Sequence, residues 1–316
     1  MRILVLGATG YVGGALVEEL AGRGHEVVAL VRPSADGGRR LPAVQEERHG
    51  DLSDADSITA AVTPDIDAVV HAAQLTGDEA TDLQVIGALA GAGRPVVYVS
   101  GVWVLGATED GHEESATDPI PIVGYRPKVE DLVLGAGGVV VRPGLVHGRG
   151  GGIPVMLRAW AAERGNGVHV GAGGEGAAFV HVDDVAELIA TAVEKGRPGA
   201  VYHAVAEEHV PLAVVASAAA RSVGAGSLGA GSGGAGSAGA GSLGAGEAGA
   251  GEAGAGEGGG VRIWPVAEAA QVLGLPFAEA LALSQRVSSA RTRAALGWAP
   301  SRPGIVSELL EGSYTR

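Results

Sequence analysis

Apolar residues come in short uninterrupted runs along this chain, and between the runs they return at helical spacing. The first run, Ile3 to Leu6, is too short for a helix and long enough for a buried parallel strand. Gly7, Gly10 and Gly13 follow it, and "ALVEEL" then sets Leu16, Val17 and Leu20 on one helical face. The alternation recurs. "HEVVALVRPS" predicts a second strand, "GDLSDADSITAAV" a helix capped by Ser53 or Asp54, and "DAVVHAAQ" a third strand. A helix carrying Leu83, Val85, Ile86 and Leu89 leads to the strand in "RPVVYVSGVWVLG". Past a polar, turn-rich loop from Ala107 to Pro121, a helix begins near Pro127 and "GVVVRPGLVHG" supplies another strand. Beyond it, "IPVMLRAWAAERG" is helical, and "AAFVHVDDVAELIATAVEKG" reads as a turn entering a helix capped by Asp183 or Asp184. "GAVYHAV" returns a strand and "PLAVVASAAARSVG" a helix. Such regular alternation predicts an α/β fold on a doubly wound parallel sheet.

The glycines after the first strand carry the first functional reading. Spaced G-x-x-G-x-x-G between a strand and a helix, they let the backbone turn tightly and approach a pyrophosphate at the positive end of a helix. Arg32 falls just past the second strand, where a carboxylate selects a ribose 2′-hydroxyl and an arginine a 2′-phosphate, so it favours NADP(H). Ser34, Arg39 and Arg40 are placed to reinforce that pocket. Asp51 and Leu52 border the adenine if the strand order is the usual one. The small residues Ala72 and Ala73, ending a central strand, leave room for a cofactor across the sheet.

Composition narrows the partners. A chain of 316 residues holds one large domain or two unequal ones. It has no cysteine, so disulfides and thiolate metal sites are excluded, and no His-x-x-x-His spacing supports another metal site. A formal net charge of −14 disfavours nucleic acid and anionic membranes, leaving a small-molecule ligand. No basic region leads into an apolar signal segment and no run approaches membrane-spanning length, so the cytoplasm is the expected compartment. Residues 224–260 break the pattern, being almost wholly Gly, Ala, Ser and Glu in a period of five. Such a segment cannot bury enough surface to offset its conformational entropy and reads as a flexible insertion. A silk-like stacked sheet is the alternative, opposed by glutamates that would repel in register.

Taken together, "GATGYVG", "GDL", "VVHAA", "YVSGVWVLG", "RPGLVHG", "FVHVDDVA" and "LGWAP" follow an order that resembles the extended short-chain dehydrogenase/reductases, the NAD(P)-dependent epimerase/dehydratase group. The resemblance spans the chain except the Gly/Ala segment. It implies a Rossmann-type core over 1–164, with later pieces from about 178–205, and a smaller C-terminal substrate-binding lobe within 165–316. It implies Thr9, Tyr11, Val12, Pro143 and Val146 as cofactor contacts beside Gly7, Gly10 and Gly13.

Members of the group use a tyrosine as proton donor or base, a lysine four residues later, and a serine or threonine that polarises a carbonyl. Tyr125 and Lys128 are one candidate pair, but they are three apart with Pro127 between them. The glutamate that in the group often follows the lysine by four sets a second register. With Glu130 in that place, Arg126 takes the lysine position and Ile122 the tyrosine position. Counting back from Val104 puts Gly101 at the Ser/Thr position, with Ser100 its neighbour. The second register is preferred because a proline belongs at a helix start and not inside a Tyr/Lys face.

In that register the catalytic candidates are Ser100 and Arg126, both also beside the cofactor, while Gly101, Trp103, Ile122, Tyr125 and His147 flank the substrate. Arginine is a poor proton donor at neutral pH, so an alkoxide formed here needs Ser100, water or a hydrogen bond within the substrate. A phenolic hydroxyl beside the carbonyl meets the last condition, which points to a polycyclic aromatic polyketide ketone. The chain is thus similar to triad-lacking ketoreductases that tailor angucyclinone-type antibiotics, implying an NADPH-dependent reductase of secondary metabolism. Two other functions fit the residues. One is a nucleotide-sugar epimerase or dehydratase, which needs the missing tyrosine as base; the other is an NADP-binding sensor without turnover. His181 is expected to organise the turn before Asp183, and Glu109, Asp110, His112, Glu113 and Glu114 to form a solvated lid.

Overall fold

Seven parallel strands form the main sheet of the computed structural model, which describes residues 1–32, 42–226 and 260–315. They are β1 (Arg2–Leu6), β2 (Glu26–Val31), β3 (Glu46–His49), β4 (Ala68–His71), β5 (Val96–Val99), β7 (Val139–Pro143) and β11 (Val201–Ala204). Their order, β3-β2-β1-β4-β5-β7-β11, reverses direction between β1 and β4, and a dinucleotide crosses a sheet of this kind at that reversal. The usual strand order assumed for Asp51 and Leu52 is therefore present. Ser34, Arg39, Arg40 and residues 227–259 of the Gly/Ala segment lie outside the described residues.

Side-chain alternation divides the sheet into two faces. Ile3, Val5, Val70, Val97 and Val141 pack under α1 (Tyr11–Gly22) and α6 (Val182–Lys195). Leu4, Leu6, Val69, Tyr98 and Val140 pack under α2 (Ala55–Ala61), α3 (Glu79–Gly91) and α4 (Arg126–Gly135). Asp54 caps α2, accepting from the N–H groups of Asp56 and Ser57, and Asp78 caps α3 by accepting from Thr81.

Two strands escape the apolar pattern. β3 reads Glu-Glu-Arg-His because it is the sheet edge, where charge is tolerated and blocks further pairing. β10 (Gly176–His181), expected as a turn, is buried at all six positions between β8 (Leu145–His147) and β12 (Glu207–Pro211). Small residues packed on both sides carry no alternation to read.

Two further expectations are corrected. The cap of α6 is His181, whose Nδ1 accepts from the N–H of Asp183 at 3.1 Å; Asp183 and Asp184 fall in the first turn. Nor is the acidic loop a wholly solvated lid. It contains β6 (Thr108–Gly111), paired with β14 (Gln285–Val287), and its Glu113 is buried, accepting from the N–H and hydroxyl of Thr292 at 2.9 and 2.6 Å. Thr292 belongs to α10 (Ala290–Leu296), so the loop is stitched to the C-terminal part of the chain.

The smaller lobe packs α5 (Ile153–Arg164), α7 (Leu212–Gly226), α8 (Val266–Leu273) and α9 (Leu275–Leu281) around the paired strands β9 (Gly167–Val170) and β13 (Val261–Trp264). Its core stacks Trp160 edge-on to Trp264, with α11 (Ile305–Glu311) closing against α7.

Beneath α4, Glu130 and Arg142 form a buried ion pair, with Nη2 to Oε2 at 2.5 Å and Nε to Oε1 at 3.1 Å. Glu130→Ala leaves the guanidinium buried without its counter-charge and should cost about 3–5 kcal/mol in urea unfolding, whereas pairing Glu130→Leu with Arg142→Met should restore most of it.

Candidate active site

The glycine turn is built for close backbone approach. The N–H of Gly10 donates to the carbonyl of Gly7 at 2.9 Å, and Gly7 has φ +84°. A Cβ on Gly13 would sit 1.9 Å from that carbonyl oxygen, and one on Gly7 would sit 2.6 Å from the nitrogen of Ala73. The start of α1 has Gly10 as its cap, with no side chain bonded to its first N–H groups and no acidic residue in its first turn. Its donors and positive dipole end are thus left to an external anion, the arrangement a pyrophosphate fits. Thr9 and Gly10 are exposed there, and Tyr11 and Val12 half-buried. The hydroxyl of Tyr11 donates to the carbonyl of Gly148 at 2.7 Å and its ring lies against Gly151, so what Tyr11 offers the turn is backbone.

At the carboxyl end of β2, exposed Arg32 stands near Asp51. The N–H and hydroxyl of Ser53 hold the Asp51 carboxyl below its ordinary range, and the charge of Arg32 adds to the effect. Leu52 is half-buried in the α2 side cluster.

The ends of β4 and β5 bring together a group of polar side chains. His71 Nδ1, Tyr98 Oη, Ser100 Oγ and Arg126 Nε are all buried without a hydrogen-bond partner. The rings of His71 and Tyr98 meet edge to face at 5.5 Å. Burial lowers His71 to about 4, helped by the positive charge of Arg126; burial raises Tyr98 to about 12, opposed by the same charge. Glu130 fixes the orientation: it is buried in α4, and Arg126 lies four residues earlier on the same helical face. His71 and Tyr98 were not among the sequence candidates, although a polar residue among valines at the end of a buried strand was the available signal.

Position 101 is open: a Cβ there would meet only the carbonyl of Pro143, at 3.9 Å, and its φ of 178° suits any residue. Ile122 is 41% exposed, preceding α4, and Val146 is half-buried in β8. Tyr125 is bonded to α3. Its hydroxyl donates to buried Asp82 at 2.5 Å, and burial first, then this bond, raises its pKa. Lys128 lies on the surface, paired with Glu79 at 2.5 Å. Tyr125 and Asp82 nonetheless stand close enough to His71 and Tyr98 for their charges to be felt there.

A narrow apolar pocket lies where β8, β10 and the segment after β5 meet α5, β9 and α9. Trp103, Leu145, Trp160, Phe179 and Leu281 line it, with His169 as its one titratable side chain. His147 is not on its wall. It is fully buried between Phe179 and His181, and burial first, then His181, lowers it to about 3.

Two outcomes follow from this geometry. Gly13→Ala should abolish NADPH binding in a fluorescence titration, since the turn cannot admit a methyl group 1.9 Å from an oxygen. His71 and His147 stay neutral when folded down to about 4 and about 3, but titrate near 6.5 when unfolded. The unfolded chain therefore binds more protons as pH falls through that window, and stability should drop by up to about 1.4 kcal/mol per pH unit per histidine between roughly 6 and 4, read as the melting temperature against pH.

Residues 3–126 match the NAD dependent epimerase/dehydratase family. An uncharacterised protein of Schizosaccharomyces pombe is 33% identical over 233 residues, covering 68% of this chain and 78% of that protein. The 4-hydroxy-2-methyl-3-oxo-4-farnesyl-3,4-dihydroquinoline-1-oxide ketoreductase of Stigmatella aurantiaca is 31% identical over 64% of this chain and 67% of its own. Among solved structures, a nucleoside-diphosphate-sugar epimerase from Pseudomonas aeruginosa superposes with a TM-score of 0.72 at 18% identity, covering 99% of this chain and 96% of that one.

Proposed function

The chain belongs to the NAD dependent epimerase/dehydratase family, and from that premise we propose that it is an NADPH-dependent ketoreductase of a polycyclic aromatic ketone, working without the Ser-Tyr-Lys triad. The observation that carries the reading is the wall of the pocket. Two indoles, a phenyl ring and aliphatic side chains suit a flat, apolar molecule, and no lysine or arginine is among the lining residues described. A nucleoside diphosphate sugar needs cations for its phosphates. The Stigmatella relative, a ketoreductase of a ring ketone, supports the same class.

When bound, reduced nicotinamide supplies a hydride. The chain's residues do the rest. Gly7 to Gly13 and the start of α1 receive the pyrophosphate, and Arg32 receives a 2′-phosphate, with Asp51 and Leu52 beside the adenine. Ala72 and Ala73 leave space across the sheet, and Pro143 and Val146 bound it. Arg126 holds ribose hydroxyls and its charge favours an alkoxide forming above β5. Ser100 donates the hydrogen bond that the vacant position 101 does not. With Ile122 unable to donate, a phenolic hydroxyl beside the carbonyl completes the stabilisation, and holding the partners in register supplies much of the rate. Trp103 stacks on the ring system. A product of this kind places the enzyme in aromatic polyketide tailoring, as in angucyclinone-type antibiotic biosynthesis.

The nucleotide-sugar reading has the fold of the Pseudomonas structure on its side, and a sensor reading needs no turnover at all. Oxidation of NADPH followed at 340 nm, with a phenol-flanked polycyclic ketone, separates the three. The reductase consumes NADPH, the epimerase binds UDP- or dTDP-sugars instead, and the sensor does neither. Arg126→Met should lower kcat/KM about 100-fold or more, while Tyr125→Phe should leave turnover within about threefold. A sharp gain from Ile122→Tyr or a dead Tyr125→Phe would sink the triad-free mechanism. Arg32→Ala should erase preference for NADPH over NADH.

A further inference from the structure

Gly148 to Gly152 join β8 to α5 of the smaller lobe, and four of these five residues are glycines. Four stand at positive φ: Gly148 at +100°, Arg149 at +51°, Gly150 at +67° and Gly152 at +77°. Arg149 is the one non-glycine residue in that region among the described residues. Such a backbone has many conformations to lose and one residue in an unfavourable one, so it keeps this shape only if its surroundings hold it.

Two sets of contacts do so. The first comes from α1. The hydroxyl of Tyr11 donates to the carbonyl of Gly148 at 2.7 Å, and Gly151 lies against the Tyr11 ring, where a Cβ would come within 2.5 Å. Arg149 adds ion pairs to Glu18 of α1 and Asp183 of α6, at 2.7 and 2.6 Å. The second set comes from the turn after α11. Tyr314, 2% exposed, accepts from the N–H of Gly148 at 2.8 Å and donates to the carbonyl of Gly151 at 2.5 Å. The hydroxyl of Ser313 accepts from the N–H of Gly150 at 2.7 Å. Buried Glu308 fixes that turn, accepting from the N–H and hydroxyl of Ser313 at 2.9 and 2.5 Å. Both polar groups of Gly148 are thus held by phenols, its N–H by Tyr314 and its carbonyl by Tyr11.

Tyr11 is also the first residue of α1, in the turn whose N–H groups no side chain caps. Whatever fixes its side chain helps to fix the donors that a pyrophosphate would meet. A ligand that meets donors already in place does not have to order them. We propose that Tyr314 is a positioning residue of the dinucleotide site: by clamping Gly148 against the hydroxyl of Tyr11, it keeps the start of α1 set for the pyrophosphate. The assignment rests on reading the glycine turn as that site. It extends the site to a side chain 166 positions from the loop that it holds.

The test is titration of the full chain with NADPH and with NADH, followed by nicotinamide fluorescence well below the melting temperature of every variant, with urea unfolding measured alongside. The tighter-binding dinucleotide serves for the variants. Tyr314→Phe keeps the ring and loses both bonds to the loop, and should raise Kd about tenfold. Tyr11→Phe should do the same. The double variant should bind no more than about threefold more weakly than either, because both hydroxyls act through Gly148. Thr292→Val is the destabilised control. It removes a hydroxyl bonded to Glu113 beside the edge strand β11, and should lower the urea midpoint with Kd within about twofold of the wild type. A Tyr314→Phe chain that is less stable yet binds as the wild type does overturns the assignment and leaves the dinucleotide site standing. So do two substitutions whose effects simply multiply, or a control that weakens binding as much. If the wild type binds neither dinucleotide, the reading of the glycine turn falls, and this assignment with it.

Discussion

Everything near the carboxyl edge of the main sheet depends on one steric constraint, the contact between Gly13 and the carbonyl of Gly7. With only hydrogen atoms between them, α1 can begin immediately beyond β1 and point its unpaired N–H groups along the sheet's carboxyl edge. The same closeness presses Gly7 against Ala72 and Ala73, which ties the turn to β4. Displacing this turn by even a methyl group would move the helix end, the β1–β4 reversal and the space between them together. The site is therefore a property of backbone packing before any side chain contributes to it.

Around that backbone, the protein distributes its buried polarity unevenly. Most buried charges are answered: Glu130 by Arg142, Asp184 by the N–H groups of Ser301 and Arg302, Glu113 by Thr292. The group at the ends of β4 and β5 is not, for His71, Tyr98, Ser100 and Arg126 each keep a buried polar atom without a partner. Folded proteins rarely leave four such atoms together, because each costs what a hydrogen bond would return. Glu113 Oε2, Arg142 Nη1, both ring nitrogens of His147 and His203 Nε2 are buried without a partner as well, so what sets the group apart is its place at the carboxyl ends of β4 and β5.

The pocket extends the same division of labour to the smaller lobe. Its walls come from both parts of the chain, Trp103 and Phe179 from the core side and Trp160 and Leu281 from the lobe, so its shape depends on how these elements pack. Here the wall is apolar, and no lysine or arginine is among its lining residues.

Local sequence determined a good deal of this protein. The glycine spacing, the runs of valine and the proline at the start of α4 each act over a few residues, and they were enough for the glycine turn between β1 and α1, the parallel sheet and the beginning of α4. The strand β10 and the edge strand β3 were not legible, since burial on both faces and exposure at a sheet edge are facts about neighbours. The cap of α6 went to His181 rather than an aspartate because Arg149 and the backbone of Ser301 and Arg302 claim Asp183 and Asp184. His71 and Tyr98 acquire meaning only when β4, β5 and the start of α4 close around them. Charge and hydrogen bonding act through space, so tertiary structure alone decided which polar atoms would be left without partners.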